Sequence, residues 1–198
     1  MTLLSIIKAL FINSKQPELF VPEYSLETYS GNHLATVKEE AKILERRYGQ
    51  SLETILYSSD FSSKLLHEIM PFVRPQENYS NYLSSTYWGE KHPFNFPGPF
   101  YTGASDTCGT GDREAPENVM YDSYCCEFIF KQPKSFAELL CIVDAAAVEV
   151  LDSYACNGNE HWTYQEVKLW WREKDNLLHQ LNNPETIRMN GDRITAVV

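Results

Sequence analysis

Helical periodicity in this chain stops at Pro71 and does not return until after Pro116, and that interruption limits every fold the chain can adopt. Between the two prolines lies His92-Pro-Phe-Asn-Phe-Pro-Gly-Pro-Phe-Tyr101, a run with too much proline and glycine for a helix or a central strand. It is equally too apolar for a linker, because Phe94, Phe96, Phe100 and Tyr101 cannot all be left in water. The stretch is therefore predicted as a long ordered loop, and loops of that length are often functional.

Before the loop the pattern is helical. Thr36 and Glu39 form a T-x-x-E capping box, Val37, Ala41, Leu44 and Tyr48 follow at helical spacing, and Gly49 supplies a stop. A short helix is predicted around Leu52, Ile55 and Leu56. Another, capped by Asp60, presents Phe61, Leu65, Leu66 and Ile69 before Pro71 ends it. At the start of the sequence Leu3, Leu4, Ile6, Ile7, Leu10 and Phe11 fit one face of a further short helix. Lys8 within that run, and the lack of a basic leader and a small-residue cleavage site, argue against a signal peptide. No run approaches the roughly 18 to 20 apolar residues that cross a bilayer, so the expectation is a cytoplasmic protein without a membrane segment.

After the loop, Val119 to Tyr121 and Cys125 to Lys131 read as a hairpin, with Cys126, Phe128 and Phe130 on one face and Glu127, Ile129 and Lys131 on the other. Ser135 with Glu138 makes a second capping box, opening a helix that turns Phe136, Leu139, Leu140, Val143, Ala147 and Val150 toward a core. Asn157-Gly158-Asn159 then turns the chain into a third box, Thr163 with Glu166. Trp162 is placed as a hydrophobic staple against Val167, and the helix continues through Trp170, Trp171, Leu178 and Leu181. Asn190-Gly191 between alternating segments predicts a final hairpin. These elements predict an α+β fold. A helical layer over residues 1–92 packs on a unit over 93–198, built of antiparallel hairpins and two long helices.

Charge separates the same two parts. Residues 1–92 carry 9 basic and 11 acidic side chains, whereas residues 93–198 carry 8 and 16, so most of the formal net charge of −10 sits in the second part. Such a surface repels nucleic acid and anionic lipid and prefers a basic protein partner. Eleven carboxylates lie between Asp106 and Glu160, and the expected recognition set is Asp106, Asp112, Glu114, Asp122 and Glu160 with Tyr101 and Trp162 as aromatic anchors. Tyr121, Tyr124 and Tyr154 also look exposed.

Catalytic and metal-binding patterns are thin. Five cysteines (Cys108, Cys125, Cys126, Cys141 and Cys156) contain no C-x-x-C pair, which leaves neither a zinc finger nor a disulfide framework. Gly103 to Gly111 matches neither phosphate-loop pattern, Asp106, Asp112 and Glu114 lack the rhythm of a calcium loop, and the five histidines form no H-x-x-x-H pair. No cofactor is expected. The alternative to a binding protein is a small hydrolase or transferase in which Cys108 is the nucleophile and His92 or His161 its base. Asp106 and Asp112 beside Cys108 oppose that reading, because negative neighbours raise a thiol's pKa.

Three strings carry a family likeness: Pro99-Phe-Tyr-Thr-Gly-Ala-Ser-Asp-Thr-Cys-Gly-Thr-Gly111, Glu114-Ala-Pro-Glu-Asn-Val119, and His161-Trp-Thr with Trp170-Trp171. Over residues 93–175 the chain resembles immunity proteins of bacterial polymorphic toxin systems. The resemblance implies a cytosolic antidote that binds a toxin domain, often a basic nuclease, and blocks its active site. It assigns no role to any single residue, and it does not cover the helical first ninety.

Overall fold

The structure, a computed structural model, describes residues 31–196 except 50, 84–86, 104 and 106–108. The helix predicted over Leu3 to Phe11 lies outside the described residues. What is described is an α+β fold in which helices dominate and four short strands form two antiparallel pairs. Among the described residues no helix is long and apolar enough to cross a membrane.

The first helix, Gly31–Tyr48, buries Val37, Ala41 and Leu44 at the predicted spacing and ends at Gly49, whose φ of 87° no side chain tolerates cheaply. Thr36 does not open it, since the helix already runs from Gly31, and Glu39 instead pairs with Lys42 at 2.7 Å. This helix lies along Phe136–Val148, which is buried from Phe136 through Ala146 on nearly every side and is the centre of the fold. Ser135 caps that central helix as predicted, accepting from the Glu138 N–H at 3.2 Å.

Pro71 does not end the helix before it. The chain runs Phe61–Lys64, Leu65–Ile69 and Met70–Val73, and the middle segment is wound as a π-helix. Proline lacks an N–H and crowds the preceding turn, and a wider turn just ahead of it relieves both problems without breaking the helix. Asp60 precedes this helix without capping it through its side chain. Past Val73, Arg74 reaches Glu40 at 2.7 Å and also bonds Asp144, so one guanidinium ties the first helix to the central one.

Strands β1 (Tyr101–Thr102), β2 (Val119–Tyr121), β3 (Glu127–Ile129) and β4 (Tyr154–Ala155) are short and buried. The β2–β3 pair is the predicted hairpin, with Met120 opposite Phe128. The β1–β4 pair joins the loop to a segment over fifty residues away, Tyr101 opposite Ala155, and periodicity gave no sign of it. One apolar cluster contains Val37 to Leu83 of the helical layer together with Phe100, Ile129, Phe136 and Tyr154 of the remainder.

The predicted last hairpin is absent from the described residues. Asn183 caps a helix, Pro184–Asn190, by accepting from the Thr186 N–H at 2.9 Å, and Gly191 at φ 57° terminates it. Asn-Gly serves a helix C-terminus as well as a hairpin, and Asn-Pro at positions 183 and 184 is the start signal that decides between them. The Asn190 amide donates to the Tyr121 carbonyl at 2.7 Å and accepts from the Tyr121 N–H at 2.8 Å, taking the place of a further strand on β2.

Candidate functional site

The long loop is ordered by two amide side chains rather than by strands. Asn95, fully buried, donates to the carbonyls of His92 and Thr102, and its oxygen accepts from the N–H groups of Thr102 and Ile129. Gln132 donates to the carbonyls of Phe96 and Phe100 and accepts from the Phe100 N–H. The Gly158 N–H donates to the Pro99 carbonyl at 2.8 Å, and a Cβ at Gly158 would collide with the backbone of Gly98, so glycine is required for the chain to return this close to the loop.

The return brings Tyr101, His161 and Trp162 together around Trp88. His161 stacks on the Trp88 ring at 4.8 Å and 19°, while Tyr101 and Trp162 meet it edge-on at 5.3 and 5.0 Å. The Tyr101 hydroxyl donates to Asn157 Oδ1 at 3.0 Å, which leaves Asn157 Nδ2 to donate to His161 Nε2 at 3.2 Å. The Lys91 ammonium lies 4.7 Å from the Trp88 ring centre and 5.4 Å from that of Trp162. Burial, with Cys156 and Glu160 adding to it, pushes the Tyr101 hydroxyl up to about 12. Trp88 and Lys91 escaped the sequence reading because they sit at the edge of the aperiodic stretch, and Asn157 reads in sequence only as part of a turn.

Comparison of the chain with protein-family models, with curated proteins and with solved structures finds no match.

Most of the expected recognition set is taken up by internal contacts. Asp106 and Cys108 lie outside the described residues. Tyr101 is 0% and Trp162 4% exposed, so both are walls of the aromatic box rather than anchors offered to a partner; Tyr121 and Tyr154 are buried too, and only Tyr124, at 80%, is exposed as expected. Asp112 accepts from the Tyr121 hydroxyl and from Arg193, each at 2.8 Å. Asp122 holds the His92 ring at 3.1 Å and accepts from the N–H groups of Tyr124 and Cys126. Burial raises the Asp122 carboxyl, but these hydrogen bonds outweigh it and leave its pKa lowered. Glu114 is half-buried and Glu160 exposed.

The single acidic face expected from the run of eleven carboxylates is corrected accordingly. Glu127, Asp144 and Glu149 are buried, and of the described members of the run only Asp152 and Glu160 are exposed. Carboxylates are acceptors as well as charges, and here they serve loops and helix ends. Glu127 is the extreme case: its carboxylate accepts from the Gly111 N–H at 2.7 Å and the Tyr154 hydroxyl at 2.6 Å, a fit that a Cβ at Gly111 would obstruct.

Both histidines proposed as base for the alternative are engaged elsewhere. His92 accepts from the Phe94 N–H through Nδ1 and stacks on Phe128, which assigns its Nε2 proton to Asp122. His161 Nε2 is occupied by Asn157. Burial pushes the Cys141 thiol up to about 12 and the Cys156 thiol to about 11, where neither is a thiolate at neutral pH. Among the described residues no group of three or more His, Cys, Asp or Glu side chains is placed to hold a metal ion.

One surface feature stands out. At the end of the central helix Val148 is 39% exposed, and on the turn that follows Val150 and Leu151 are 70% and 53% exposed before exposed Asp152. The turn is braced from beneath, because buried Glu149 accepts from the N–H groups of Leu151 at 3.1 Å and Ser153 at 2.8 Å.

Proposed function

We propose that the chain is a stoichiometric protein-binding inhibitor of immunity type, which neutralises a basic partner such as a toxin domain by occluding its active site. The observation that carries this reading is the braced turn of residues 149–152 with the helix end before it. Apolar side chains held out on a backbone already fixed by a buried carboxylate lose little freedom on binding, which is the property of an interface anchor. Asp152 at the turn and the net charge of −10 supply complementarity to a cationic surface. The occupied ring nitrogens of His92 and His161 favour this reading over a hydrolase or transferase that uses either as its base.

The test is a growth-rescue assay with the cationic domain encoded beside this chain in its native host. A Val150→Asp, Leu151→Asp double variant is expected to keep the wild-type circular dichroism spectrum and thermal midpoint. Its affinity for that domain should fall by tenfold or more, since buried anchors are worth about 2 kcal/mol each. Rescue at wild-type level by the double variant removes the turn from the interface and with it the basis of the proposal.

A further inference from the structure

We propose that the part of the Trp88 ring approached by Lys91, cornered by Trp162, is the docking site for an arginine side chain of the basic partner, and that Lys91 is a built-in occupant displaced on binding. The inference rests on the inhibitor reading and names the chemistry by which such an inhibitor would engage its target. Lys91 shows that the corner accepts a cation, since its ammonium is within about 6 Å of both ring centres, the range in which the ring quadrupole attracts positive charge. The walls are fixed: His161 stacks on Trp88, Trp162 stands at 90° to it, and Tyr101 is anchored through Asn157. The Trp162 indole N–H is buried and has no hydrogen-bond partner among the described residues.

The occupant is weakly held. Among the described residues no ion pair holds Lys91, and its ammonium is placed against the two indole rings. An ammonium is strongly hydrated and has no flat face, whereas a guanidinium stacks on an indole, sheds water more readily and keeps a fork of donors for nearby carboxylates. Exposed Glu90 and Glu160 lie on the two short 3-10 helices, Tyr87–Glu90 and Gly158–Glu160, that border the corner. An arginine can therefore use both the ring and the rim, while Lys91 uses the rings alone.

The test uses the full-length protein and a small probe. Nα-acetyl-arginine amide is titrated at fixed ionic strength into the wild type and into Lys91→Met, following the indole N–H resonances of the four tryptophans. The Trp88 and Trp162 resonances should move, with Lys91→Met binding about fivefold tighter than wild type, the scale of one cation–π contact. Trp88→Phe keeps an aromatic ring in the packing and should weaken binding while leaving the fold intact by circular dichroism. Equal affinity of wild type and Lys91→Met, or shifts confined to Trp170 and Trp171, overturns the proposal. So does tighter binding of tetramethylammonium than of the arginine amide, which would make the corner a site for a free quaternary ammonium ion. The probe needs no partner protein, so its failure is separable from failure of the inhibitor reading, which the turn variant tests.

Discussion

In the helical layer the residues that close the structure are Val37, Ala41, Leu44, Leu56, Leu65 and Ile69, all buried and all apolar. Around the loop that follows, the closing residues are Asn95 within it and Gln132 and Asn157 from later in the chain, whose amides take up backbone or side-chain groups that strands would otherwise satisfy. The first kind of closure is non-directional and tolerates any side chain of the right size, so helices can shift by fractions of an ångström and stay packed. The second kind is directional and leaves buried donors without partners when any member is lost. A chain that has to hold an aperiodic segment in one shape, as an aromatic box requires, relies on the second kind where the box is built.

The largest expected effect separates the two directly. Asn95→Ala strands the Ile129 N–H and the Thr102 N–H in a dry interior and should lower stability by about 4 kcal/mol, summed from two or three orphaned groups. Leu44→Ala, in the helical layer, leaves a cavity and should lower it by about 3 kcal/mol. Urea midpoints measure both. The sharper contrast is in repair: Leu44→Met should recover most of the loss, whereas Asn95→Asp, of nearly the same shape, should recover little, because a carboxylate cannot donate to the His92 and Thr102 carbonyls. Full recovery by Asn95→Asp would erase the distinction between the regions.

The same distinction explains what could be read from the sequence. Apolar spacing located the helix through Val37, Ala41 and Leu44 and the central helix through Leu139, Leu140 and Val143, since period alone specifies which side is buried. Capping chemistry located Ser135 and Thr163, since a hydroxyl three residues before an acid has a local mechanism. Trp162 and Val167 were legible as a staple for the same reason, and they share one apolar cluster. The β1–β4 pair was not legible, because it joins residues with no common local pattern. Nor was the inward use of Asp112, Asp122 and Glu127. A carboxylate in sequence carries its charge openly, but its hydrogen-bond partners, Arg193 and Tyr154 among them, come from 81 and 27 residues away. For the site, Tyr101, His161 and Trp162 were singled out in advance, while Trp88 and Lys91, which complete the box, were not.

A smaller effect tests directional closure by pH. His92 joins the loop to the hairpin through Asp122, whose folded pKa is lowered. A carboxyl with a depressed folded pKa contributes stability that is complete above its unfolded value, about 3.9, and is lost as pH falls through the folded one. His92→Phe keeps a flat ring against Phe128 but removes the donor, and should cost about 2 kcal/mol at pH 7. Below pH 4 the cost should shrink, because the unfolded chain takes up a proton at Asp122 before the folded one does and the advantage of the lowered pKa fades. Urea midpoints for both proteins at pH 7 and pH 3 give the difference. A cost that stays constant down to pH 3 would assign the role of His92 to packing alone.

The smallest effect asks whether a cap is worth more where both kinds of closure meet. Ser135 and Thr163 accept at the same distance, 3.2 Å, from the N–H three residues on, so their local chemistry is matched. Their helices differ. Phe136–Val148 lies at the centre of the fold, with the first helix on one side and the 111–114 turn of helix packed against it, so fraying its first turn disturbs Phe136 and Leu139 in the core. Tyr164–Arg172 buries only Val167 and can fray at the surface. Ser135→Ala should therefore cost about 1 kcal/mol and Thr163→Ala about half that, within the range measured for hydroxyl caps. Amide hydrogen exchange at Glu138 and Glu166 gives the same comparison residue by residue. Faster exchange confined to the first turn is expected for Thr163→Ala, and a rise that extends along the helix for Ser135→Ala. Equal costs with equally local exchange would mean that the central helix is held by its apolar faces alone, with its capped end contributing no more than a surface cap does.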